Sequence, residues 1–278
     1  MNTTFIDTQS RDPLPKVWDE NTRIGDMLKG KRGLVVGVAN ADSIAMGCAA
    51  KLRGFGADIA LTYLNDKALK YVQPLAQQLG AELLLPLDVT QPGQMQAVFD
   101  EIKRQWGSLD FVIHSIAFAP KDDLHGRIVD CSQPGFLQAM QVSCHSFIEM
   151  AHCAEPLMNP GGALVTMSYY GSDKVVKNYN IMGPVKAALE SSVRYMAAEL
   201  GERDIRVYAV SPGPLRTRAA SGIDHFDELI EMARTRAPGH RLVDIAEVGR
   251  VVAFLVGGAA SGMTGDIIYV DAGLHNVA

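Results

Sequence analysis

Residues 32–47, "RGLVVGVANADSIAMG", decide how the rest of the chain reads. Positions 32–37 form a short apolar run rich in β-formers. Gly37 then lets the chain turn sharply, a helical pattern begins near Ser43 and Ile44, and Gly47 permits that helix to pack closely. A helix N-terminus offers free N–H groups and a partial positive charge, which suits a phosphate. The glycine spacing is not GxGxxG, so the reading rests on the strand before and the helix after. The plain alternative is an ordinary strand–helix loop.

From Gly30 onward the same alternation repeats. Strands are predicted at 32–37, 58–64, 82–89, 109–115, 162–168, 205–211 and 266–271. Helices are predicted near 43–55, 66–79, 92–106, 134–158, 180–201 and 244–257. Several strands are continuous apolar runs, as in parallel strands covered on both faces. This pattern predicts an α/β fold: a doubly wound parallel sheet of seven strands with right-handed crossovers, in a single domain over 30–278. Residues 1–29 are polar, carry Pro13 and Pro15 and show no periodicity. They read either as an N-terminal arm anchored by Trp18 or as a disordered tail.

Composition excludes several classes. With 47% hydrophobic and 21% charged residues the chain has ample core material for a soluble globular protein. A net charge of −5 leaves no basic excess, so no nucleic-acid partner is expected. No apolar run reaches the ~18 residues of a membrane span. Cys48, Cys131, Cys144 and Cys153 form no CxxC pair or disulfide framework, and the histidines are scattered, so no metal site is expected. Residues 1–23 lack the basic start and apolar run of a signal peptide, which makes the cytoplasm the expected location.

The unusual segments sort to one edge of the sheet. The strands end in "GVANADSIAMG", "TYLND", "LDVT", "HSIAFAP", "SYYG" and "SPGPLRT". Ligands of such sheets bind outside the carboxyl ends of the strands, so an elongated ligand is expected there. Asp88 is placed to accept from an adenine amino group, with Val89 under the ring, or to cap the next helix; both readings stand. Leu64 ends the second strand, with Asp66 beyond it. Only Lys67 is nearby and no arginine cluster awaits a 2′-phosphate, so NAD is favoured over NADP.

Within residues 168–186, "SYYGSDKVVKNYNIMGPVK", Tyr179 and Lys186 stand seven residues apart. If both are helical, that spacing returns the chain to nearly the same face two turns on. Pro184 is compatible only with a helix that begins near Asn180. A tyrosine hydroxyl beside an ammonium, which lowers its pKa, suits a reaction that builds negative charge on a carbonyl oxygen. The same lysine could hold ribose hydroxyls. The ordinary alternative is a core tyrosine and a solvated lysine.

These motifs, with "LTYLNDK", "GPLRTRAASGI" and "GDIIYVDAG", match in order and spacing the enoyl-acyl-carrier-protein reductases, a branch of the short-chain dehydrogenases/reductases. The resemblance runs from about Gly30 to the C-terminus, and tyrosine-six-lysine marks the branch. It implies a Rossmann-type sheet and hydride transfer from NADH, with NADPH less favoured, to a trans-2-enoyl thioester on acyl carrier protein, by a cytoplasmic homotetramer. It places Gly37, Ser43, Ile44, Leu64, Asp88, Val89, Ser115, Ile116, Ala117, Lys186, Leu215 and Thr217 along the cofactor. It makes Tyr179 the donor to the thioester carbonyl, Lys186 its electrostatic partner and Tyr169 a pocket wall. Ala117, Phe118, Met182, Ala219, Ala220 and Ile223 would face the acyl chain, under a loop and helix at 216–233. Leu64 stands where glutamine is common, Ala117 for glycine, Tyr208 for asparagine and Pro212 for alanine. A carbonyl or alcohol oxidoreductase would need a tyrosine where Met182 stands. A catalytically silent dinucleotide binder would lack Tyr179 or Lys186.

Overall fold

The computed structural model describes residues 26–217 and 226–277. Seven strands form one sheet: β1 (Arg32–Val36), β2 (Asp58–Tyr63), β3 (Leu83–Pro86), β4 (Leu109–His114), β5 (Met158–Met167), β6 (Arg206–Pro212) and β7 (Ile267–Val270). Their spatial order is β3-β2-β1-β4-β5-β6-β7, and every pair is parallel. The chain therefore reverses its direction of winding between β1 and β4, and a crevice opens there at the carboxyl ends.

Alternate strand residues feed two cores. On one face Leu34, Val112 and Leu164 pack against α3 (Gln94–Trp106), α5 (Gln133–Met140), α6 (Ser146–Ala154) and α7 (Met182–Leu200). On the other, Val35, Phe111 and Val165 pack against α1 (Ile44–Gly54), α2 (Asp66–Leu79) and α9 (Ile245–Val256). This is the doubly wound arrangement the alternation predicts. Helices α1 and α9 cross with almost no spacing, because a Cβ added to Gly47 would stand 2.3 Å from the Ile245 carbonyl oxygen. Leu28, inside the arm expected at 1–29, is fully buried, and its N–H donates to the Phe55 carbonyl.

Four predicted elements differ. Strand β3, expected at 82–89, spans only Leu83–Pro86, so Asp88 and Val89 lie beyond its end. The single helix expected at 134–158 is two helices joined by a π-helical stretch, Gln141–His145, and it stops at Ala154 before a turn through Pro156. Strand β5 starts four residues early, because Met158 pairs with Leu109 before a register shift brings Ala163 opposite Phe111. Helix α7 begins at Met182 instead of 180, because Asn178 (φ 65°) and Asn180 (φ 44°) are left-handed. Asparagine is among the few side chains that tolerate that conformation.

Candidate active site

A cleft of ≈ 730 Å³ lies at the carboxyl ends of β1, β4, β5 and β6. Gly37 forms its floor at φ +111°, where a Cβ would stand 2.1 Å from the Ser115 carbonyl oxygen. Only glycine allows the two central strands to run that close. Ser43 caps α1: its Oγ accepts from the Met46 N–H at 3.3 Å and donates to the Asn40 carbonyl at 2.8 Å. Among the described residues the N–H groups of Ile44 and Ala45 in the first turn have no backbone acceptor. This end of the cleft thus carries first-turn donors aligned with a helix dipole.

Tyr179 and Lys186 both line the cleft, but by a different route from the one the spacing suggests. Tyr179 is not helical. It sits in a turn between the two left-handed asparagines, and the Asn180 side chain anchors that turn to the Leu124 carbonyl at 2.6 Å. Pro184 is the third residue of α7, where the missing N–H has no intrahelical partner to lose; the first regular bond comes from Val185 to Ile181.

The electrostatics also differ from expectation. Lys186 does not lower the Tyr179 pKa. Burial, with a further contribution from the Glu190 carboxylate, pushes that phenol well above its ordinary value. Lys186 is itself buried, which brings its ammonium down to about 8, and its Nζ donates to the Met167 carbonyl at 2.7 Å. Tyr169 meets Tyr179 edge-on at 4.8 Å between ring centroids, and Tyr170 edge-on at 4.7 Å. The Tyr169 hydroxyl is buried without a well-formed hydrogen bond among the described residues, and burial raises its pKa strongly. Tyr170 is core packing behind it.

A buried polar network beneath the cleft was not legible in the sequence. His114 ends β4, with Nδ1 2.8 Å from Thr166 Oγ1 and Nε2 2.8 Å from Ser146 Oγ. The Ser146 proton goes to the Val142 carbonyl, so Ser146 must accept from His114, and the imidazole carries its proton on Nε2. Thr166 then donates to Nδ1. Burial, helped by the nearby Lys186 charge, lowers the His114 pKa to about 3, so the ring is neutral. Ser143, in the π-helical stretch, both accepts from the Phe118 N–H and donates to its carbonyl, which ties that stretch to the cleft wall.

Of the sequence-derived site residues, Gly37, Ser43, Ile44, Ser115, Ile116, Ala117, Phe118, Tyr169, Tyr179, Met182, Lys186, Leu215 and Thr217 line the cleft. Leu64, Asp88 and Val89 do not. They belong to the β2 and β3 side of the sheet, where the edge is open; Leu64 is exposed. Asp88 does not cap α3, whose N-cap is Gly93; its Oδ1 takes the N–H and hydroxyl of Thr90. Ala219, Ala220 and Ile223 lie outside the described residues, as does Trp18. Phe226 and Leu229 of α8 (Phe226–Arg236) and the Pro212–Gly213–Pro214 corner complete the wall. The corner lies at the strand end where the sequence puts the ligand edge, and Phe226 and Leu229 fall within the 216–233 segment expected over the acyl pocket.

A doubly wound sheet with a tyrosine and a lysine converging beside a glycine-floored cleft is the layout of a short-chain dehydrogenase/reductase. A sequence model of the enoyl-(acyl carrier protein) reductase family matches residues 37–275. The chain is 47% identical, over 90% of its length and 92% of the relative's, to an enoyl-[acyl-carrier-protein] reductase [NADH] of Rhizobium meliloti. It is 44% identical to that of Enterococcus faecalis, over 89% of this chain and 98% of the other. The crystal structure of the Anaplasma phagocytophilum reductase with NAD superposes with a TM-score of 0.88 at 44% identity, covering 92% of this chain and 98% of that one. The Bacillus cereus reductase, solved with NADP+ and an indole naphthyridinone, gives 0.89 at 42%, covering 91% and 99%. The chain belongs to the enoyl-(acyl carrier protein) reductase family.

Proposed function

We propose that the protein reduces the trans-2 double bond of an enoyl thioester on acyl carrier protein, with NADH as reductant, in fatty-acid elongation. The observation that carries this reading is Tyr179, held as a phenol, in the same cleft as the buried Lys186. A dinucleotide fits the residues present: Gly37 leaves the cleft floor without a side chain, and the first turn of α1, capped by Ser43, lines the same cleft. When bound, NADH supplies the hydride taken up at the β-carbon of the thioester. Tyr179 donates a hydrogen bond to the thioester carbonyl oxygen, where negative charge accumulates. Its raised pKa keeps the proton on the phenol at neutral pH, so it stabilises the enolate oxygen without ionising. Lys186 keeps one N–H on Met167 and offers the rest of its ammonium to the ribose hydroxyls.

Ser115, Ile116, Leu215 and Thr217 contact the nucleotide further along, with Leu64, Asp88 and Val89 at the adenosine end. Ala117, Phe118, Tyr169 and Met182, with Ala219, Ala220 and Ile223, form an apolar pocket for the acyl chain and exclude water. Asp66, in the first turn of α2, puts a negative charge where such folds read the ribose, which favours NADH over NADPH. The family resemblance supports a cytoplasmic homotetramer. No helix among the described residues is long and apolar enough to cross a membrane. The test is NADH oxidation followed at 340 nm with crotonyl-CoA and longer enoyl thioesters. Tyr179→Phe should cost about a hundredfold or more in kcat with NADH affinity retained. No oxidation with any chain length would refute the reading, and faster turnover with NADPH would overturn only the cofactor preference.

A further inference from the structure

Glu190 is a buried carboxylate that the reaction as described does not use. It lies on α7 four residues after Lys186, one helical turn along the same face. Its Oε1 accepts from two hydroxyls, Ser168 at the end of β5 and Ser172, the latter at 2.7 Å. Those serines bracket Tyr169, Tyr170 and Gly171, and the bracketed turn packs on Tyr179: a Cβ on Gly171 would stand 2.5 Å from the Tyr179 ring. A single carboxylate oxygen therefore ties both ends of the pocket-wall turn to the helix that carries the lysine.

We propose that Glu190 is a positioning residue with two parts: its oxygen clamps the Ser168–Ser172 turn that places Tyr169 and Tyr179, and its charge is the counter-charge of the Lys186 ammonium. The inference rests on the enoyl reductase reading for its turnover readout, while its nucleotide-binding readout does not. The groups facing Lys186 are His114 from β4, Cys144 from the π-helical stretch and Glu190 from its own helix. His114 is neutral and the Cys144 thiol is raised by burial, so Glu190 is the anion among them. Its charge favours the ammonium of Lys186 and disfavours a Tyr179 phenolate.

Two variants separate the parts. Glu190→Gln keeps an oxygen that accepts both serine hydroxyls but removes the charge. The double variant Ser168→Ala/Ser172→Ala removes the clamp but keeps the charge. NADH binding is titrated by nucleotide fluorescence from pH 6 to 9.5, without enoyl substrate, and turnover is measured with an enoyl thioester. In E190Q the pH at which NADH affinity falls should move down by about one unit, the low end for a neighbouring charge. In the double serine variant that pH should stay, while KM for the enoyl thioester rises severalfold. An unmoved midpoint in E190Q overturns the counter-charge, and an unmoved KM in the serine variant overturns the clamp. If E190Q does not fold, Glu190→Asp keeps the charge and shortens the reach: the midpoint should hold and KM should rise, and a moved midpoint overturns the proposal. Inactive wild type with an intact binding midpoint would sink the enoyl reductase reading alone.

Discussion

Raising the pH from about 7 to about 9 should weaken NADH binding roughly tenfold, and Lys186 is the reason. Burial disfavours the charged lysine and brings its pKa from 10.5 to about 8. The ammonium that would hold the ribose is therefore complete only below that value and is lost as pH rises through it. The charged fraction falls from about nine-tenths near pH 7 to about one-tenth near pH 9. If binding requires the ammonium, the affinity falls by the same ratio, worth ~1.4 kcal/mol. No other described group facing Lys186 confuses the window: His114 titrates near 3, and Cys144 and Tyr179 lie above their ordinary values. The assay is NADH fluorescence titration at constant ionic strength on wild type, Lys186→Arg and Lys186→Met. Arginine stays charged throughout, so K186R should bind with a flat profile, and K186M weakly and equally flat. The folding side gives an independent check. Between about pH 8 and 10.4 the unfolded lysine holds more protons than the folded one, so the wild-type apoprotein should gain stability over K186M as pH rises. A wild-type affinity that is level from pH 7 to 9 would refute the reasoning.

Gly47→Ala should destabilise the protein although alanine is the better helix former, because the new methyl meets the Ile245 carbonyl, a backbone atom, at 2.3 Å. Overpacking of about 2 kcal/mol corresponds to a Tm lower by roughly 4–8 °C in a thermal melt; an unchanged Tm would mean the α1–α9 crossing can open without cost. His114→Gln should flatten the acid limb of stability. The wild-type imidazole is neutral when folded, with its pKa at about 3, so stability is complete above about pH 6.5 and lost as pH falls towards 3; denaturant melts at pH 7, 5 and 4 read it, and an equally steep loss in the variant would clear His114. Asp88→Ala should raise the Kd for NADH while leaving that for the nicotinamide half alone unchanged; equal binding of NADH by both proteins would confine Asp88 to its turn with Thr90.

By itself the sequence determined the sheet and the edge at which the cleft lies. Seven apolar runs separated by helical periods admit few arrangements when crossovers are right-handed. The segments at their carboxyl ends carry Gly37, Ser43, Tyr179 and Lys186 wherever the helices begin. Local chemistry also marked Gly47 as a contact glycine, since a bare Cα on an apolar helix face has one common use. Tertiary structure decided what depends on distance and burial. The seven-residue spacing alone predicts two residues on one helix face. In the fold, Tyr179 reaches the cleft from a turn between left-handed Asn178 and Asn180, and the Asn180 side chain ties that turn to the Leu124 carbonyl. The sign of the Tyr179 shift is likewise a burial effect, and a favourable neighbour seven positions away cannot announce that desolvation will outweigh it. Val142, Ser146, His114 and Thr166 come from four elements and become one hydrogen-bonded chain only when β4, β5, the π-helical stretch and α6 meet. A sequence carries the pattern of what is buried; the dielectric and the partners each buried group finds arise only once the chain has packed.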